Sequence, residues 1–287
     1  MRQDSDISPR TVLATVCLAQ FVVPFMFTAV GVALPALGRE LGATALQLGL
    51  VEQLYALSLA ATMLTFGRLG DLVGRKRVFL TGLGLFTVLT AALALTSSVH
   101  LLIVQRFLQG LGAAMLLSGS MALVASAFPP GVRGRMLGLV SGFTYAGLTL
   151  GPMLGGFVTT HLGWRFVFWM AVPPGGAACA LGLWRMRGEW REARGESMDW
   201  PGSAVYAVAV SLFMLGASHL GDRPLVGGGM MGAGLLGLAR FVALERRRTH
   251  PLLDVSLFAQ SRFFSLSCFA AMGIYAATLG VMFFMSL

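Results

Sequence analysis

Glu52 and Arg106 are ionisable residues set inside otherwise apolar runs. Ionisable groups within a membrane span are functional candidates by default, because burying them is costly. Glu52 lies about six residues into its run and Arg106 about seven, so at 1.5 Å per residue both sit roughly 10 Å deep, counted from the same side. Tyr55, Leu59 and Thr62 share one helical face with Glu52, and Gln109 follows Arg106 by one turn. A carboxylate that alternates between an arginine and a place away from it can take up and release a proton. Glu52 and Arg106 are therefore the proton-coupling candidates; the plainer alternative is that Glu52 reaches outer water and couples nothing. Gln20, Gln109, Ser141, Tyr145 and Thr149 suit a polar cavity wall, and each is also explicable as helix–helix hydrogen bonding. Phe25, Met26 and Phe27 would make that wall apolar and adaptable, which lipid contact explains equally well.

A second group is the stretch GRLGDLVGRKRV at 67–78, with five charges in twelve residues. Gly67 and Gly70 would let backbones approach closely, and Asp71 can accept hydrogen bonds from a helix N-terminus, where the macrodipole favours negative charge. Arg75 lies one helical turn beyond Asp71 and can hold it in place. Snorkelling cations on a short hairpin are the plain reading; the joint spacing of Gly67, Asp71, Gly74 and Arg75 favours a mechanical joint. Third, Gly147, Gly151 and Gly155 recur every four residues, a pattern of tight helix packing. Pro152 removes a backbone donor there and invites a kink.

Other chemistries find no support. Cys17, Cys179 and Cys268 stand singly in apolar runs, and His100, His161, His219 and His250 lie far apart near run ends, so neither a metal set nor a catalytic triad emerges. A phosphate-binding loop is missing, and the G-x-G-x-x-G match at Gly227–Gly232 has no preceding strand. No cofactor or enzymatic activity is expected.

The elements that must position these residues are membrane helices. Only 11% of the chain is charged and 56% is apolar, with mean hydropathy +0.78, outside the range of soluble domains. Apolar runs at 11–35, 46–66, 78–97, 99–127, 135–160, 165–184, 203–220, 224–244 and 263–287 predict an all-α polytopic bundle of about nine spans. The first is too long for a signal-peptide core, so no cleaved leader is expected. Of the 21 Lys and Arg, 17 fall on the N-terminal side, Arg39, Arg165 and Arg223 on the other, and Arg106 within a span. The positive-inside rule then places the N-terminus in the cytoplasm. The net charge of +9 reports topology and lipid, not a nucleic-acid partner. The expected units are a six-span bundle (1–184), a mixed-charge cytoplasmic linker (185–200), two further spans (201–247), and a loop with one more span (248–287).

Several segments, in order, resemble motifs of the major facilitator superfamily. GRLGDLVGRKR at 67–77 resembles its loop-two/three motif, with Leu72 and Val73 in place of the usual basic and aromatic residues. Arg106-Phe-Leu-Gln109-Gly110 resembles the intramembrane arginine motif. Gly147-Leu-Thr-Leu-Gly151-Pro152-Met-Leu-Gly155-Gly156 resembles the antiporter motif of exporters. Gly163-Trp164-Arg165 through Pro173 is similar to the start of span six in the fourteen-span drug:proton antiporter branch, with Ala171 where Asn is usual. The extra pair of spans and Glu245 through Asp254 resemble that branch too. Met26 and Gly31 stand where the branch usually carries Asp and Asn.

The resemblance implies a proton-coupled exporter of amphiphilic small molecules in the cytoplasmic membrane. It implies Asp71 locking the cytoplasmic side against the second half, and gating at Gly147–Gly156. It implies two inverted three-helix repeats, with spans one and four toward a central cavity. It also implies a C-terminal half mostly absent from this chain and supplied in cis or in trans. The competing expectation is a transport-incompetent remnant or a partner-binding half-carrier.

Overall fold

The computed structural model describes residues 8–286 apart from 187, 192, 194 and 250, with side chains as far as Ala277. Arg2, Arg187, Glu192, Arg194 and His250, which entered the sequence reading, lie outside the described residues. The described chain is helical throughout: α1 (Pro9–Leu41), α2 (Ala45–Val73), α3 (Arg75–Ala94), α4 (Val99–Ala127), α5 (Pro130–His161), α6 (Trp164–Arg185), α7 (Trp200–His219), α8 (Pro224–Glu245), short α9 (Ser256–Gln260) and α10 (Arg262–Ser286). Among the described residues, eight helices, α1 to α8, are long and apolar enough to cross a membrane. α10 continues the apolar pattern through its 25 residues.

The helix ends follow from local chemistry. Pro9, Pro130 and Pro224 each open a helix, where a missing N–H costs nothing. Thr44 and Gln47 make a reciprocal capping box at the start of α2, the Thr44 hydroxyl accepting from the Gln47 amide at 3.3 Å and Gln47 Oε1 accepting from the Thr44 amide at 2.9 Å. Asp199 caps α7 by accepting from the Gly202 amide at 2.9 Å. α1 runs on to Leu41 through Pro24 and Pro35, beyond the stop expected near 35. In a bundle, neighbouring groups can satisfy the backbone that a proline frees.

The first six helices pack in a pattern that exchange leaves unchanged. α1 lies against α5 and α6, and α4 lies against α2 and α3; α1 also meets α4, and α3 meets α6. Swapping α1, α2, α3 for α4, α5, α6 interchanges α1–α5 with α4–α2 and α1–α6 with α4–α3, and maps α1–α4 and α3–α6 onto themselves. Two three-helix repeats therefore build the bundle, with α1 and α4 the most enclosed.

Glycine sets the two central seams. A Cβ at Gly147 would overlap the Phe21 carbonyl, at Gly151 the Thr28 hydroxyl and at Gly155 Ala29, so α5 meets the α1 main chain directly. Gly110 of α4 lies equally close to the Tyr55 carbonyl of α2. α7 and α8 pack on each other, and α7 docks on α2, where the Tyr206 hydroxyl donates to the Ala60 carbonyl at 3.2 Å.

Candidate functional site

Arg106 projects from α4 toward α2 and is fully buried. Its Nε donates to the Val51 carbonyl at 3.3 Å and its Nη1 to Gln109 Oε1 at 2.7 Å. Gln109 in turn donates to the Thr90 hydroxyl of α3 at 2.7 Å, and Thr90 donates to the Phe86 carbonyl at 2.6 Å. The guanidinium carbon stands 4.2 Å from the centroid of the Tyr55 ring, a cation–π arrangement strengthened by desolvation. Glu52, one turn before Tyr55 on α2, directs Oε1 toward Gly31 of α1, 3.1 Å from where a Cβ on that glycine would sit. Three buried polar atoms here have no hydrogen-bond partner: Glu52 Oε1, Tyr55 Oη and Arg106 Nη2. They comprise an acceptor and two donors, held by helices α2 and α4 but not on one another. Unpaired buried groups of this kind are expensive and call for an explanation.

At one end of the bundle α2 and α3 are separated by Gly74 alone, at φ 133°. Arg75 Nε donates to Asp71 Oδ1 across this break at 2.7 Å, and Arg75 Nη1 lies 3.5 Å from the Ser126 hydroxyl near the end of α4. Gly67 and Gly70, expected to allow close approach, meet only ordinary contacts at 3.7 Å, from Ser118 and Arg75. Gly74 is the strained position: its φ disfavours a side chain, and a Cβ there would push the Glu189 carboxylate aside.

At the other end, Trp164 and Arg165 open α6. The Trp164 indole donates to Glu40 Oε2 at 2.8 Å, Arg165 pairs with Glu40 Oε1, and Arg165 Nη2 donates to the Thr96 carbonyl at 3.2 Å. These contacts tie together the ends of α1, α3 and α6.

The sequence profile of the Major Facilitator Superfamily matches residues 16–287. The chain belongs to that superfamily. It is 32% identical over 255 residues to the tetracenomycin C resistance and export protein of Streptomyces glaucescens, covering 87% of this chain and 47% of that protein. It is 27% identical over 255 residues to the riboflavin transporter RibZ of Clostridioides difficile, covering 88% of this chain and 55% of that one. The chain thus spans about half the length of these relatives. A solved bacterial homologue of the human lysosomal transporter Spinster, inward-facing and unoccupied, shares the fold at TM-score 0.56 and 16% identity, over 85% of this chain and 62% of that one.

On this major facilitator bundle the remaining candidates divide by depth. Gln20, Met26, Tyr55 and Gln109 are buried between helices. Gln20 accepts from the Thr144 hydroxyl at 3.4 Å, joining α1 to α5. Phe25 is buried as well and Phe27 half-buried, so the expected apolar wall is packing in this bundle. Ser141 is half-buried and donates to the Leu137 carbonyl at 3.1 Å, whereas Tyr145 and Thr149 are exposed on the open face of α5. Tyr145 stacks with Tyr275 of α10, ring centroids 6.2 Å apart. Of the glycine motif, Gly147, Gly151 and Gly155 are buried, while Pro152 and Gly156 are half-buried.

Sequence reasoning missed Thr90 and Val51 around Arg106, the contact of Gly31 with Glu52, and Glu189 against Gly74. One signal was legible: Gly31 replaces a polar residue usual in the branch, and a carboxylate from the next helix lies beside it.

Proposed function

We propose that the chain supplies the first half of a secondary active transporter of the cell membrane, exporting amphiphilic small molecules in exchange for protons. The observation that carries this reading is the set of half-buried Glu52 and buried Tyr55 and Arg106, with three unpaired buried polar atoms inside a major facilitator bundle. A transporter must bind and release its coupling ion as the bundle alternates. Arg106 reaches across from α4 to α2, its guanidinium against the Tyr55 ring, one turn along α2 from Glu52. In this reading Glu52 alternates between a position beside Arg106 and Tyr55, which holds it ionised, and one away from them, in which it carries a proton. The glycine at 31 gives the carboxylate its second position, against α1. The relatives named for antibiotic export and riboflavin transport support a small-molecule cargo.

In this reading the basic end, with the α2–α3 joint and the α6–α7 linker, faces the cytoplasm, as the Lys and Arg bias favours. Asp71, held by Arg75, is the gating group that meets the second half, and the Gly147–Gly156 face of α5 serves the same alternation. The test uses the complete carrier in vesicles with an imposed pH gradient. Glu52→Gln is expected to abolish gradient-driven export while substrate still binds. Export at the parental rate would remove Glu52 from the coupling role.

A further inference from the structure

α3 begins with Arg75, Lys76 and Arg77. Three cations in a first turn are set against the positive end of the helix macrodipole. Its N-cap is Gly74, which offers no side chain to the free amides. The missing anion and acceptors come from far along the chain, in the segment between α6 and α7. Glu189 Oε1 accepts from the Lys76 amide at 2.9 Å, and Glu189 Oε2 lies 3.5 Å from Arg77 Nε. The Trp190 carbonyl accepts from the Arg75 amide at 3.0 Å. On the α2 side of the break, the Ala193 amide donates to the Asp71 carbonyl at 3.2 Å, and Glu196 pairs with Arg68 at 2.5 Å. Met186 and Ala193 are buried, and Trp190 packs against the core. A segment whose composition suggests a solvated tether is thus fastened to both sides of the joint.

We propose that Glu189, Trp190, Ala193 and Glu196, in the segment between α6 and α7, form a strap that sets the geometry of the α2–α3 joint, with Glu189 as its positioning residue. The carboxylate stands in for the cap that Gly74 lacks and neutralises the basic first turn. Gly74 is required in return, since any side chain would displace Glu189. The strap continues into α6 and α7, so pulling on either is transmitted to the residues that hold Asp71. This last consequence rests on the transport reading; the strap itself does not.

The test has two readouts. Hydrogen exchange at the Arg75 and Lys76 amides is measured on this chain in nanodiscs, with the Gln47 amide of the opposite capping box as internal control. Glu189→Gln keeps the size and removes the charge. It is expected to speed exchange at Arg75 and Lys76 about fivefold, as loss of a charge-assisted bond at a helix N-terminus implies, with Gln47 unchanged. Glu189→Asp, which keeps the charge, should recover part of the protection. In the complete carrier, E189Q should lower export turnover at unchanged substrate KM, because the joint lies at the bundle end. Exchange unchanged in E189Q overturns the strap whatever the transport result. Faster exchange with parental turnover, in a carrier that Asp71→Asn disables, overturns the positioning role. A parental carrier that moves no substrate sinks the transport reading alone, and faster exchange then still supports the strap.

Discussion

Gly74 is a single residue between two helices, and its backbone and surroundings both demand glycine. Its φ of 133° lies where L side chains are strained, and the adjoining space is filled by Glu189. Gly74→Ala is expected to destabilise the bundle by about 1–3 kcal/mol, read as a lower unfolding midpoint in detergent together with faster exchange at Lys76. An unchanged midpoint would show that the joint relaxes freely. At this scale the sequence was legible where partners are near in the chain. Asp71 and Arg75 are four apart, and they form the 2.7 Å ion pair that their spacing suggests. Glu189 meets Lys76 from 113 positions away, and Gln109 meets Thr90 from 19. No local period marks such partners, so only the folded chain brings them out.

Among the elements, the nine apolar runs marked α1 to α8 and α10 in order, because in lipid the backbone must satisfy itself, while the short α9 had no run to mark it. Helix ends were less legible. α1 passes Pro35 and α5 starts at Pro130, five residues before the apolar run expected at 135, because helices continue past the hydrocarbon where caps and neighbours allow. The α1–α5 seam gives a sharp contrast between neighbouring glycines. A Cβ at Gly155 would press on Ala29 at 2.9 Å, whereas one at Gly156 would meet Val32 at an ordinary 3.5 Å. Gly155→Ala should cost about 1–3 kcal/mol as an overpacked contact, and Gly156→Ala should lie within about 0.5 kcal/mol of the parent. Equal effects in thermal unfolding would show that the seam is not the close contact described. The four-residue spacing of Gly147, Gly151 and Gly155 predicted a seam here and selected Gly155 over Gly156; that the seam's partner is α1 carries no local period and was not legible.

For the molecule as a whole, the exchange pattern concerns α1 to α6 alone. α7 and α8 bind each other and reach the bundle through α2. A fragment of residues 1–199 is therefore expected to fold without them, keeping slow exchange at the Lys76 amide and a single species in detergent. Aggregation, or loss of that protection, would show that the pair holds the bundle together. The superfamily fold was legible in the sequence through motifs that fell in order, whereas the packing of α7 on α2 was not, since α7 carries an apolar surface that lipid would equally accept and its polar contacts from Tyr206 and Ser218 reach residues far back in the chain.

The seams of α1 with α5 and of α4 with α2 put main chain against main chain at Gly147, Gly155 and Gly110. A contact made without side chains has no rotamers to reshuffle, so it can neither creep nor cushion a load. The six helices are consequently stiff about their own centre, like timbers joined by a half-lap. If the bundle rocks, it rocks in one piece, and the give must lie outside its two seams.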